Sequence, residues 1–343
     1  MIPTKKKNRI KRSLYSIPGN RVYPFQFSML YNKKFCGFSH GWLATLGGVE
    51  DIITLTNPLK NVAPIVLPRL YFHYYGRHRR SYVYVNKVVL SVDPLMNPND
   101  YVVAAIHSHS FSFIKAGKNY WINVEVENYY HFRYADITFY QGLVYVVCGR
   151  RNVLPGVVVD FDRIMSFNLY CLDDDPCRRV KIIPNIFHQD SERGFYSMRA
   201  YLVKSLEGDL WMVRRILPSQ FNNCKDDGNV VFNVYKLELD DAQNGKVLQM
   251  LKLENLGDNV LFVGDYSDST VASNPYFSNS LQKDSIYYTN DNDVGSPIPP
   301  SHDPLDLRVY NVKEGRVFQN YPFNPSFTRV SPSLWILPPF QWD

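Results

Sequence analysis

From about residue 27 to the C-terminus, short apolar runs alternate with breaks of Gly, Asn, Asp or Pro, and the runs are dominated by Val, Ile, Tyr and Phe. Examples are GWLATL (41–46), DIITLT (51–56), KVVLSV (87–92), YVVAAIHS (101–108), FSFIKA (111–116), YWINVEV (120–126), ADITFY (135–140) and LVYVVC (143–148). The pattern continues through GVVVDFD, FNLYCL, RAYLVKS, DLWMVRR, VVFNVYKLEL, KVLQMLKL, NVLFVG, SIYYTN, LRVYNV and RVFQNY. β-Branched and aromatic runs of this length between turn residues predict strands. Helical periodicity is nearly absent, so the chain reads as all-β. Polar breaks containing glycine, at Gln141-Gly142, Glu207-Gly208-Asp209, Asn244-Gly245 and Glu314-Gly315, predict tight hairpins and therefore meanders.

About two dozen strands are too many for one sandwich or small barrel, and an open sheet that wide curls or splits. Four-stranded blades around an axis dispose of the edges. Four strands per blade predicts about six blades, and roughly 45 residues per blade allows seven. Residues 135–162 read as strand, turn, strand, loop and a strand ending in an acidic residue, similar to a kelch blade, so the expectation is a kelch-like β-propeller.

Charge then separates the N-terminus from the rest. The 343 residues carry 38 Lys and Arg against 32 Asp and Glu. Lys5, Lys6, Lys7, Arg9, Lys11 and Arg12 account for the whole excess. The expected organisation is a basic arm without regular structure over 1–26 and a single propeller domain over 27–343. A neutral body argues against nucleic acid as a partner, since such domains carry their cations on a folded face. KKKNRIKR nonetheless has the composition of a nuclear import signal or a phosphate-seeking arm. The internal cluster Arg77, His78, Arg79 and Arg80 reads as a solvated loop. No run of eighteen apolar residues is present, so no membrane span is expected. An odd number of irregularly spaced cysteines (Cys36, Cys148, Cys171, Cys177, Cys224) suggests unpaired thiols in a reducing compartment, hence nucleus or cytoplasm.

Several segments resemble one known family. Gly41-Trp42-Leu43 after Ser39-His40, then Leu55-Thr56-Asn57-Pro58-Leu59 and Ile65-Val66-Leu67-Pro68, is similar to the opening of the plant domain-of-unknown-function 295 family, also described as KIB-type, F-box-associated β-propellers. Phe113 to Gly117 with Trp121, and Asp136-Ile137 through Gly142 to Tyr145, resemble its next blocks. Tyr201 to Val203, Gly208 to Leu210, Met212-Val213 and Arg215, Phe232 and Val234 to Leu237, Leu256-Gly257-Asp258, Leu261 to Gly264, Ser285 to Asp291 with Tyr287, Val309 to Val312, and Ser331 to Ile336 with Trp335 continue it, over about residues 35–340. The resemblance implies a propeller that binds a protein partner through one rim. It implies a substrate receptor of Skp1-cullin ubiquitin ligases only if an F-box precedes this chain, because residues 1–34 lack the amphipathic helical segment that docks on Skp1. Val263-Gly264-Asp265-Tyr266-Ser267 departs from the family pattern at a predicted turn.

Chemistry is sparsely indicated. His107 and His109 alternate on one strand face, a spacing metal sites use, but no third ligand accompanies them, and an ordinary polar strand face is expected. Cys171 and Cys177 flank an acidic loop, Asp173 to Asp175, and do not have zinc-knuckle spacing. There is no Gly-x-Ser-x-Gly elbow, and Gly47-Gly48 lacks the spacing of a nucleotide loop. Trp42, Trp121, Trp211 and Trp335 read as wedges between blades, and Gly41 as the residue that allows a tight turn. No catalytic residue, metal or cofactor is expected, and the chain reads as a non-enzymatic interaction module. Two other classes stay open: a carbohydrate-binding or carbohydrate-active propeller, with tyrosines as stacking platforms, and a nuclear nucleic-acid-associated factor using the basic arm.

Overall fold

The computed structural model describes residues 2–6, 9–19, 21–30, 33–47, 52–70, 85–107, 110–126, 132–150, 160–169, 179–182, 185–188, 195–218, 230–240, 245–273, 281–289, 307–321 and 335–336. Apart from a 3-10 turn at Leu169, the regular structure of these described residues is strand. The first sheet holds β1 (Ile2–Lys6), β2 (Arg9–Ser16) and β3 (Arg21–Leu30). The second holds β4 (Lys34–Ser39), β5 (Trp42–Gly47), β6 (Ile52–Thr56) and β7 (Ile65–Val66). The third is a meander of β8 (Val85–Leu90), β9 (Val102–His107), β10 (Ser110–Lys115) and β11 (Ile122–Val126). The fourth is built on β12 (Phe132–Tyr140), β13 (Leu143–Arg150) and β14 (Asp160–Asn168). Between the third and fourth sheets the chain trades edges: β15 (Arg179–Ile182) pairs parallel with β11, and β16 (Asn185–His188) closes the fourth sheet beside β14.

A nine-stranded sheet completes the chain. It joins the meander β17 (Phe195–Lys204), β18 (Leu210–Pro218), β19 (Val231–Leu239) and β20 (Val247–Leu253) to β21 (Asn259–Val263), β22 (Ser269–Ser273), β23 (Ser285–Thr289), β24 (Leu307–Asn311) and β25 (Arg316–Tyr321). The junction is a short parallel pairing of β17 with β22.

Two features differ from the sequence reading. The stretch 1–26, expected to lack regular structure, contains β1, β2 and the start of β3, with Lys6 opposite Arg9 and Lys5 opposite Ile10. Alternating residues such as Arg9, Lys11 and Ser13 are compatible with a strand whatever their charge, because pairing is satisfied through the backbone. Asp160 and Asp162, read as the end of a strand, instead lie at the start of β14, which continues through Phe167. Arg77 to Arg80, His109, Cys171, Cys177, Cys224 and Asp173 to Asp175 lie outside the described residues.

Strict period-2 alternation gives each central sheet two buried faces. In β9, Val103 and Ala105 pack toward the second sheet, while Ala104 and Ile106 pack toward the fourth. In β13, Val144, Val146 and Cys148 face the third sheet, and Leu143, Tyr145 and Val147 face β17–β20. Leu210 and Met212 against Trp211 and Val213 in β18, then Leu261 and Val263 against Val260 and Phe262 in β21, repeat the arrangement. Sheets buried on both faces form a stack rather than a two-layer sandwich. An aromatic box fixes one interface: Phe111 lies 5.1 Å from Tyr134 edge-on and 5.7 Å from Phe167 in a stacked pair, contacts worth about 0.5–1.5 kcal/mol each beyond area burial.

The stack bends into a ring through its first strands. β4 neighbours β8, β8 neighbours β12, β12 neighbours β17, and β17 pairs with β22. The Asp268 N–H donates to the Phe38 carbonyl at 2.9 Å, returning from the β22 end to β4. The inner edges of these five strand groups, the last with β22 innermost and β21 parallel to β23, therefore surround a common axis.

One polar chain runs through the third sheet. His107 Nε2 lies 2.7 Å from Ser112 Oγ, and Ser112 donates its single hydroxyl proton to Asn123 Oδ1 at 2.6 Å, so His107 is the donor to Ser112. His107 is one of the pair weighed for metal ligation; its ring is committed inside the sheet. Burial pulls its pKa down to about 3. The unfolded ring titrates near 6.5, so as pH falls below that value the unfolded state takes the proton first. Stability is then lost at up to about 1.4 kcal/mol per pH unit until the folded ring also titrates. His107→Gln should lose about 2 kcal/mol less than the wild type between pH 7 and pH 5 in urea titrations; parallel losses would show that His107 is not the acid-sensitive group.

Candidate functional site: the mouth of the axis

Where the first strands end, their loops enclose a cavity of about 520 Å³. Phe38 to Gly41 from the β4–β5 turn, Lys87, Val89 and Leu90 of β8, Asp136 to Phe139 of β12, Leu202 and Lys204 of β17 and Asp268 to Thr270 at the start of β22 contribute to its wall. The His40-Gly41 hairpin has φ of 50° and 79°, and Gln141-Gly142 has 48° and 78°. Two successive positive values define the primed turn whose twist suits a hairpin, and the second position favours glycine. Gly41 thus lets β4 end at the mouth and Trp42 begin β5 pointing into the interface.

The floor is an ion pair. Lys87 Nζ lies 2.6 Å from Asp136 Oδ1, with side chains 3% and 1% exposed. Asp136 also accepts the Ile137 N–H at 2.7 Å and the Leu202 N–H at 2.8 Å. Burial pushes the Asp136 carboxyl up, and the Lys87 ammonium and the two amides pull it down. One carboxylate from β12 thereby ties β8 to β17 across two sheet interfaces.

The mouth is more open. His40, Lys204, Asp268 and Asp93 act on one another there. Burial lowers His40, opposed by Asp268 and Asp93 and reinforced by Lys204. Lys204 is exposed at the mouth, and desolvation by its surroundings lowers its pKa against the pull of Asp268.

Beside the mouth, the β8–β9 loop is held in a fixed shape. Asp93 Oδ1 accepts Trp42 Nε1–H and the Leu95 N–H, both at 2.9 Å. The Asp93 carbonyl accepts Met96 N–H at 3.1 Å and Asn97 N–H at 3.0 Å. The result presents Met96 at 76% exposure next to Leu95 at 37%. Two residues beyond Lys204, Leu206 is 56% exposed, on a turn that receives the Tyr140 hydroxyl hydrogen bond at the Gly208 carbonyl.

The residues singled out from sequence divide between scaffold and mouth. Trp42, Leu43, Leu67 and Trp121 are buried; Trp42, Leu67 and Trp121 lie in the interface of the second and third sheets, and Trp121 Nε1–H donates to the Pro68 carbonyl at 2.8 Å. Pro58 follows Asn57 in the bend that leads to β7. Trp211 packs between β17–β20 and the last strands, and Tyr287 is buried on the far side, its hydroxyl accepting the Gln282 N–H at 2.9 Å. Gly257 has a φ of 62° in a surface turn, and Asp258 is 3.9 Å from Lys283. Trp335 Nε1–H donates to the Val263 carbonyl at 2.7 Å and lies against Gly264. Gly41, Asn57 and Trp335 reach the cavity itself; Gly142 turns beside it. Sequence reasoning missed Lys87, Asp93, Lys204 and Asp268. The one available signal was a lysine and an aspartate inside otherwise apolar runs, KVVLSV and ADITFY.

No curated protein matches the sequence. Among solved structures, similarity extends to Hsv2 of Kluyveromyces lactis, with 12% identity and a TM-score of 0.39 over 72% of this chain and 69% of that one. The β-propeller domain of Cps50 (Swd1) from Myceliophteria thermophila is 8% identical, with a TM-score of 0.31 over 94% and 97%. The GH93 α-L-arabinofuranosidase of Fusarium graminearum, in complex with arabinobiose, is 8% identical, with a TM-score of 0.36 over 90% and 77%. The profile of one family covers residues 14–311, beginning inside the stretch read from sequence as an arm and running through every meander around the axis: the chain belongs to the KIB1-4 beta-propeller family.

Proposed function

We propose that the chain is a non-enzymatic protein-interaction propeller, kelch-like and of about six blades, that reads its partner at the mouth of the axis. The observation that carries this is the rigid display of Met96 and Leu95 on a loop closed by Asp93, with Leu206 on a neighbouring turn. Exposed apolar side chains on a preorganised loop lose little conformational freedom on binding, which is what a docking anchor needs. Two of the three carboxylates in the cavity wall are committed to holding the scaffold, which favours a binding role over acid-base catalysis: Asp136 is held by Lys87 and two amides, and Asp93 by Trp42 and Leu95. The resemblance to F-box-associated proteins extends the reading to the substrate-reading half of a Skp1-cullin ligase in nucleus or cytoplasm, with Skp1 as a partner only through an F-box.

The test is quantitative affinity capture with the full chain, comparing wild type with Met96→Asp/Leu206→Asp. Partners that dock at this rim should fall by about tenfold or more in the double variant, with an unchanged melting temperature. Recovery of the same proteins in the same amounts would remove the rim as the docking face. Co-purification of Skp1 would add the ligase role, and its reproducible absence would leave a stand-alone module.

A further inference from the structure

The hydrogen-bonding capacity left over at the mouth is lopsided. Asn57, 6% exposed, uses Oδ1 to accept the Leu59 and Lys60 N–H groups, both at 3.0 Å. That fixes its amide with Nδ2 toward Gly41 and the cavity, where its N–H donors have no partner among the described residues. The Ser269 hydroxyl oxygen is buried in the same wall, also without a partner. Lys60 and Lys204 end at the cavity and make no ion pair within 4.0 Å among the described residues. On the acceptor side, Asp136 is saturated and Asp93 already takes two donors. Asp268 is the carboxylate with capacity left, and it faces His40 and Lys204. The unused groups are therefore mainly donors, two of them cationic and one an amide held in place by its oxygen.

A ligand oxygen would give these donors a partner, and the Asn57 amide, already fixed by the two bonds its oxygen accepts, would meet it without rearranging. Asp268 and Asp93 limit the charge such a ligand can carry: a phosphate dianion would meet both, whereas one carboxylate on the Lys60 and Asn57 side meets cations first. Ile137, Phe139, Leu202 and Trp335 supply apolar wall for the methylenes behind such a group.

We propose that the axial cavity is a carboxylate-binding site in which Lys60, Lys204 and the Asn57 amide receive an acidic side chain from an extended segment of the partner protein. This rests on the interaction reading above and gives it a chemistry: an acidic residue enters the mouth while neighbouring apolar residues meet Leu95 and Met96. A small free carboxylic acid would present the same group, and the experiment separates the two sources.

Ligand-observed saturation-transfer NMR on the full chain uses butyrate, its uncharged analogue butyramide, a terminally blocked Leu-Glu-Leu peptide and its Leu-Gln-Leu counterpart. Small probes of single charge avoid the polyanion attraction of the basic N-terminus. Butyrate and the Glu peptide should bind, the amide forms at least about tenfold more weakly. Lys60→Met/Lys204→Met should abolish the preference, and Lys60→Arg/Lys204→Arg should keep it. Both lysines are exposed, so these variants should fold, as a melting curve checks. A Glu peptide that outbinds butyrate and responds to Met96→Asp identifies a polypeptide ligand. Equal binding with no response identifies a free acid and overturns the assignment to a partner segment. Equal binding of acid and amide, or an unaffected lysine double variant, overturns the carboxylate site. If captured partners respond to Met96→Asp/Leu206→Asp but not to the lysine replacements, the carboxylate site falls and the interaction reading stands. If carboxylates bind and no partner is captured, the interaction reading falls instead.

Discussion

Lys87→Met is expected to cost the fold about 3–5 kcal/mol, the range found when one member of a buried ion pair is removed. Both side chains are excluded from water, and methionine fills most of the lysine volume, so the loss is not chiefly a cavity effect. It arises because Asp136 would keep a carboxylate among Ile137, Leu202 and the apolar strands with only two amide donors. The fold's other course is to bind a proton there, which costs free energy at neutral pH. Asp136→Asn alone should also destabilise, since it strands the ammonium. The double variant Lys87→Met/Asp136→Asn should recover part of the loss, because the asparagine oxygen can still accept one amide while no unpaired charge remains. A coupling energy of about 1–3 kcal/mol in that cycle is the expected result. Additive losses in urea titrations, or a Lys87→Met loss below about 1 kcal/mol, would show that the pair does not tie the sheets together.

That pair also marks the boundary of what sequence can reveal. Strand identity was readable at β5, β9, β10, β13, β18 and β21 because each carries the alternating apolar residues that two buried faces demand, and the tight turns announced themselves through Gly41, Gly142 and Gly315. β22, Ser269–Ser273, was missed because STVAS has only one large apolar residue and is held by pairing with β21 and β17. The basic residues of β1 and β2 concealed strands for a related reason: ladder hydrogen bonds do not depend on side-chain polarity. Trp42, Trp121 and Trp211 lie in the sheet interfaces where they were read as wedges, whereas Trp335, read the same way, is half-buried and lines the cavity. The mouth was not readable. Lys87, Asp136 and the pair Lys204 and Asp268 come from three separate sheets and converge only because inner strands crowd around the axis, a long-range outcome that no local spacing encodes.

The same crowding makes Gly37→Ala the most damaging single methyl expected in this chain. Gly37 lies on β4 at an irregularity in its register with β5, and a Cβ built there would sit 2.1 Å from the Val88 carbonyl oxygen of β8. Its next neighbours are the Val88 carbonyl carbon at 3.0 Å and Val88 Cβ at 3.1 Å. The obstacle is backbone, so no rotamer change relieves it. β4 must move away from β8, opening the interface that holds Trp42, Val88 and Leu90 and stretching the Leu90 N–H bond to Ser39 Oγ, now 3.1 Å. Mutations that cost more than about 4 kcal/mol work through mechanisms of this kind, and Gly37→Ala should reach that range or prevent soluble expression. Gly208→Ala supplies the contrast. Its Cβ would meet nothing within 4 Å, and the penalty is limited to a φ of 90°, of order 1–3 kcal/mol. Because the Gly37 clash is local to one strand crossing, an expressed variant should lose hydrogen-exchange protection first in β4 and β8 and only later in β18 and β19. Uniform loss, or stability equal to that of Gly208→Ala, would mean that β4 and β8 do not approach as closely as the ring requires.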